Sequence, residues 1–200
     1  PECMDLERLS SDLKRLAAGE EVSVPRFDFE TRTSIPHDRT LQLGKDEVIM
    51  IEGIHSFNPV IMGDLANRAT SIYLSVASAL VPEKGARLEP YMLRFLRRAM
   101  RDSLFRSSPV EATLRQWNSV RRGERLYISP YRGQANLTID TFLPYEVNIL
   151  MPRLTSVLRE HRDALEHAGL APINDILGTI TPIEWQGRIP EDSVLHEFIG

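Results

Sequence analysis

The chain has 200 residues, 42% of them hydrophobic and 26% charged, the make-up of an ordinary globular protein rather than of a disordered or collagen-like one. A net charge of −4 supplies no basic field for wrapping nucleic acid, and no apolar run approaches the ~18 residues of a membrane span. Cys3 is the only cysteine, which excludes an intrachain disulfide and a cysteine-cluster metal site and agrees with a cytoplasmic location.

The opening Pro1-Glu2-Cys3, with neither methionine nor signal peptide, reads as the start of a fragment, a processed chain or a domain cut from a longer protein. Leu6, Leu9, Leu13 and Leu16 recur at spacings of three and four, which predicts a helix over residues 5–18 with Gly19 as its stop. Residues 22–29 are β-branched and aromatic, but Pro25 restricts them to an edge strand or extended loop. The polar stretch 31–44, with Pro36, reads as a hairpin or loop.

The continuous apolar run EVIMI (47–51) predicts a parallel strand covered on both faces. SIYLSV (71–76) is a second such run and 137–142 a weaker third. Helical patterns fill 59–67, 89–106, 109–121 and 144–167, the last with Leu150, Leu154, Val157, Leu158 and Leu165. Strands alternating with helices predict an α/β fold with a mostly parallel sheet flanked by helices. After Gly169 the texture changes, with Pro172, Pro182 and Pro190 separating short apolar pieces. The expected organisation is a core over 1–168 and a tail over 169–200 packed on it.

Three features carry possible chemistry. An apolar strand ending in Glu52 places a carboxylate at a strand's carboxyl end, where open α/β sheets bind ligands. Such an acid can hold Mg²⁺ or its waters near phosphate, or simply face solvent. His55 could hydrogen-bond in the same cleft or serve the loop alone. Second, Arg94, Arg97, Arg98 and Arg101 fall on one helical face, with Arg106 a turn later and Leu93, Leu96, Met100 and Leu104 on another. Like charges on one face repel, so a triphosphate could offset them, or acids such as Asp102 and Glu89 could. Third, in Pro25-Arg26-Phe27-Asp28-Phe29 the aromatics face one way and Asp28 the other. That arrangement suits base stacking and a sugar hydroxyl, or two core phenylalanines and a surface acid.

Other chemistries lack their residues. There is no His-Glu-x-x-His, no Gly-x-Ser-x-Gly, no dinucleotide fingerprint and no Gly-x₄-Gly-Lys-Ser/Thr; Gly44-Lys45-Asp46 has neither the upstream glycine nor the hydroxyl.

The order of these segments is more specific than any one of them. The sequence runs from the opening helix through G-x-x-V-x-x-P-x-F-D-F, VIMIEGIHSFNP, IYLSV and LRRAMRD-x₃-R to GERLYISP. Over about residues 1–150 it resembles the uridine kinase and phosphoribulokinase family of P-loop kinases, and EGIHSFNP and SVLHEFIG look closest to a bacterial subgroup of nucleoside kinase-like proteins. The resemblance implies ATP and Mg²⁺ as cofactors and a nucleoside or similar alcohol as acceptor. It implies Glu52 on the magnesium side, Arg98 at the substrate, and Arg101 and Arg106 at ATP phosphates. Gln116 falls at a substrate-contacting glutamine, and Phe27 and Phe29 at base-pocket aromatics. Arg32 stands where uridine kinases have a base-reading histidine and Ser108 where they have an arginine. An arginine only donates hydrogen bonds, so pyrimidine specificity does not carry over.

The family's phosphate-binding loop, the strand leading into it and the general-base aspartate would precede Pro1. That strand would lie between EVIMI and SIYLSV, so these residues alone are not expected to form a stable kinase fold: either upstream sequence fills the gap or the sheet is rearranged. Kinases of sugar phosphates or vitamin precursors, and a non-catalytic nucleotide-binding module, are the rival expectations. Family members often associate, which makes a homo-oligomer possible.

Overall fold

A computed structural model describes residues 4–28, 31 and 33–200. The chain divides into two units, residues 1–72 with 124–137, and residues 73–123 with 138–200.

In the first unit the predicted opening helix forms as α1 (Leu6–Ala17). Asp5 caps it, its carboxylate accepting from the Arg8 N–H at 3.0 Å. Leu13 and Leu16 are buried, and Gly19 ends the helix at φ +79°, a conformation other residues adopt at a cost. Strands β1 (Val22–Asp28) and β2 (Thr33–Leu41) pair antiparallel, with Val22 opposite Leu41 and Asp28 opposite Thr33. The register slips between Val24 and Arg26, at Pro25, which has no N–H to give the ladder. The hairpin is therefore formed where the sequence allowed a hairpin or a loop. The short helix α2 (Pro59–Met62) is capped by Asn58, whose side chain accepts from the Val60 N–H at 3.0 Å. A 3₁₀ turn over Gly63–Arg68 completes the predicted helical stretch.

The expected EVIMI strand does not form. Residues 47–52 carry no secondary structure, and Val48 and Met50 are 93% and 92% exposed. The reason lies in backbone chemistry: a strand's N–H and C=O groups need a neighbouring strand, and none of the described residues pairs with this segment. The single, mostly parallel sheet is likewise replaced by two two-stranded ladders among the described residues.

The second ladder joins β3 (Ile72–Ser75) to β4 (Leu137–Asp140). Leu137 N–H donates to Ser71 C=O at 3.1 Å and Thr141 N–H to Ser75 C=O at 3.0 Å, so the strands run parallel. Ile72, Leu74, Leu137 and Ile139 remain exposed.

The core of the second unit is helical. Helix α3 (Pro90–Phe105) contributes Met92, Leu93, Phe95, Leu96, Ala99 and Met100 to it. Helix α4 (Val110–Tyr127) adds Val110, Leu114 and Trp117, the indole meeting Phe95 edge-on at 5.4 Å, and its last turn belongs to the first unit. Helix α5 (Glu146–Glu160) lies against α3, and α6 (Arg162–His167) follows after a break at His161. Pro152 cannot donate within α5, and the Asn148 carbonyl it would have bonded accepts the Ile183 N–H at 3.4 Å. Asn148 Nδ2 also donates to the Thr181 carbonyl at 2.9 Å, tying the irregular segment after residue 178 to α5. Helices α7 (Ala171–Ile176) and α8 (His196–Ile199) complete the chain, with Ile173, Ile176, Phe198 and Ile199 buried in the same core.

Candidate functional site

Helix α3 builds the main cluster. Its apolar positions face the core, which leaves Arg94 and Arg98 on the outer side. Arg97 departs from the arginine row expected from the sequence. It is 7% exposed and turned inward, where its Nε donates to the Glu146 carboxylate. Nη1 donates to the Thr141 hydroxyl at 3.1 Å and Nη2 to the Thr141 carbonyl at 2.6 Å. The guanidinium also sits 5.2 Å from the Phe198 ring centroid. Burial pushes the Glu146 carboxyl above its ordinary pKa, with the Arg97 hydrogen bond and charge opposing that shift. This is a structural ion pair.

Asp102 gathers the other arginines. Only 4% exposed, it lies 3.1 Å from Arg98 Nε, 3.4 Å from Arg101 Nε and 3.3 Å from Arg106 Nη1. The spacings explain the meeting, since Arg98 and Arg106 flank Asp102 by one helical turn each. Its main-chain carbonyl accepts the Arg106 and Ser108 N–H groups at 3.2 and 3.0 Å. Between them Ser107 takes a positive φ of 48°, which folds the chain back and keeps Arg106 beside the helix. The Arg98 contact to Asp102 is an ion pair without hydrogen-bond geometry at Nε, and the terminal Nη fork of Arg98 has no protein partner among the described residues. Such a fork matches the spacing of phosphate or carboxylate oxygens. Asp102 is among the acids the sequence offered as neutralising partners; Glu89, another, pairs with Arg87 at 2.8 Å.

In the first unit Glu52 is exposed in the loop after EVIMI. His55, three residues on, packs edge-on against Tyr127 with ring centroids 6.5 Å apart. Its Nδ1 is shielded without a hydrogen-bond partner, and burial lowers its pKa, so the neutral ring is favoured. Phe27 is half exposed on β1, and Asp28 accepts the Thr31 N–H at 3.1 Å. Phe29 and Arg32 lie outside the described residues. In the second unit Gln116 is exposed on α4, one position before buried Trp117.

Sequence reasoning passed over Asp140. Burial works against its charge, but hydrogen bonds from the Ala77 N–H at 2.8 Å, the Ser78 hydroxyl at 2.6 Å and the Phe142 N–H at 3.0 Å outweigh it and lower its pKa. The signal was present, because β4 is an apolar run ending in an acid, as 47–52 is. It ties together the carboxyl ends of β3 and β4.

Among the described residues no three His, Cys, Asp or Glu side chains gather as a metal site. Magnesium commonly takes one or two protein carboxylates and completes its shell with water and phosphate oxygens. A lone exposed Glu52 fits that role only as one ligand of a metal–phosphate complex. No helix among the described residues is long and apolar enough to cross a membrane.

The sequence profile described as the Phosphoribulokinase / Uridine kinase family matches residues 1–147. The chain belongs to this family. Uridine kinases of Staphylococcus aureus strains JH9, Newman and JH1 are each 27% identical to it over 140 residues, covering 70% of this chain and 59% of theirs. The chain thus spans 59% of the length of these curated relatives. The family match includes all of α3 and ends just inside α5, so α6, α7 and α8 lie beyond it.

Proposed function

We propose that the protein containing these residues transfers the γ-phosphoryl of ATP to a hydroxyl of a nucleoside, as a uridine kinase-like enzyme. The observation that carries this reading is the convergence of Arg98, Arg101 and Arg106 on buried Asp102 within a helix inside the family match. Arginines held in this way are pre-oriented, so little side-chain entropy is lost when they meet phosphate. Charge spreads over the transferred phosphoryl group's oxygens in the transition state, and guanidinium groups stabilise it there; a positioned arginine contributes ~10³–10⁵ in rate.

In this reading Arg98 holds the acceptor end, and Arg101 and Arg106 contact ATP phosphates. Glu52 is one ligand of the magnesium–phosphate complex, where the metal neutralises phosphate charge. The same reading assigns acceptor contacts to Phe27, Phe29, Asp28, Arg32 and His55, and, separately, to Gln116. The phosphate-binding loop and its strand are supplied by sequence upstream of residue 1, and the unpaired 47–51 segment supports that assignment.

The test is turnover of a nucleoside panel with ATP by the protein extended upstream. Phosphorylation of at least one nucleoside is expected. Turnover confined to sugar phosphates or other small alcohols moves the acceptor to that class. ATP binding without any turnover makes the protein a regulatory module.

A further inference from the structure

The last helix reaches the arginine cluster from outside the family match. Phe198 and Ile199 are buried, and α8 packs along α3. This seating brings Glu197 to Arg101, with Oε1 3.2 Å from Nη1. The Nε of the same guanidinium already faces Asp102 at 3.4 Å. Arg101 is therefore held by two carboxylates, whereas Arg98 and Arg106 pair with Asp102 alone among the described residues.

The two acids differ in kind. Asp102 is buried and fixed by its place in α3. Glu197 has a side chain 55% exposed and can swing into water while buried Phe198 keeps α8 anchored. We propose that Glu197 is a built-in occupant of the anion position on Arg101, an autoinhibitory carboxylate that an incoming phosphate must displace. Helix α8 thereby sets how tightly the cluster holds phosphate and how readily it releases it. This rests on the reading of Arg101 as a phosphate contact.

An exposed pair of this kind is screened by solvent and weak, so it is a brake and not a block. Removing it should tighten anion binding about two- to fivefold, the range open to a weak surface ion pair.

The test is calorimetric titration of inorganic tripolyphosphate into the protein at low salt. Glu197→Gln should bind about two- to fivefold tighter than wild type with an unchanged melting temperature. Arg101→Ala should bind more weakly, and adding Glu197→Gln to it should restore nothing. Glu191→Gln removes an exposed charge from the same tail and should leave affinity unchanged. Equal affinity of Glu197→Gln and wild type, with Arg101→Ala still weakened, overturns this inference and leaves the phosphate reading standing. A gain with Glu191→Gln as large, or a full gain in the Arg101→Ala background, also overturns it, because either marks general surface charge. No binding at all, or no effect of Arg101→Ala, overturns the phosphate reading and the inference with it.

Discussion

In the second unit the helices close around their apolar residues, and Phe95, Leu96, Leu150 and Leu158 are fully buried. Two strand-like segments do the opposite: Val48 and Met50 of the 47–51 run are almost fully exposed, and Leu74 of β3 is 62% exposed. Hydropathy does not separate the two sets, since EVIMI is as apolar as any helix here. The difference is where the backbone finds its hydrogen bonds. A helix satisfies its own interior N–H and C=O groups and needs only a neighbour for one face. A strand needs other strands on its edges, and a parallel strand needs cover on both faces as well. Helical elements can therefore pack by one face against another helix, as α3 does against α5, while a segment such as 47–51 forms no strand without a neighbouring strand.

The sharpest way to probe the closed side is the buried ion pair. Arg97→Met leaves Glu146 unpaired in the core and should cost about 3–5 kcal/mol in urea denaturation. The double variant Arg97→Met with Glu146→Leu should recover most of that loss. Leu150→Ala should cost about 2–5 kcal/mol by the same measurement, through a cavity between α3 and α5. A cost near zero at Leu150 would erase the contrast between the two regions.

The pH dependence of stability gives a smaller and signed effect. Burial raises the folded pKa of Glu146 above its ordinary value of 4.5. Between those two values the native state binds more protons than the unfolded state, so stability rises as pH falls through that window. The stability difference between wild type and Glu146→Gln should therefore shift in favour of wild type as pH falls towards 4.5. Asp140 has the opposite sign: its folded pKa lies below 3.8, and its contribution is lost as pH falls through that folded value. On the open side, Val48→Thr and Met50→Thr should change the stability of the 200-residue chain by less than about 0.5 kcal/mol, because neither side chain is packed.

The longer helices were legible in the sequence because they carry their own signals, whereas the break at His161 and the short helices α7 and α8 were not. Asp5 and Gly19 mark the ends of α1, and the leucine spacing marks its buried face. Helix α4 runs six residues past its expected end at residue 121, since Arg122, Gly123 and Glu124 give no stop that a surface helix must obey. The sheet was not legible, because an apolar run such as EVIMI does not by itself specify a pairing partner, and none of the described residues pairs with it. The arginine spacing put Arg98 and Arg101 on α3, with Arg106 just past its end, but it also put Arg97 on the outer face. Periodicity assigns a face, and Glu146, 49 residues on, decides that Arg97 turns inward. Glu197 was invisible for the same reason, since only tertiary packing of Phe198 brings it to Arg101.

Hydrogen exchange resolved by residue tests the contrast most directly. In the 200-residue chain the amides of Val48, Ile49, Met50 and Ile51 should exchange at near-unstructured rates, while those of Phe95 to Met100 exchange only on global unfolding. In the protein extended upstream, residues 48–51 should become as slow as α3. Strong protection of residues 48–51 in the 200-residue chain, or none in the extended protein, would contradict the account of an unpartnered strand.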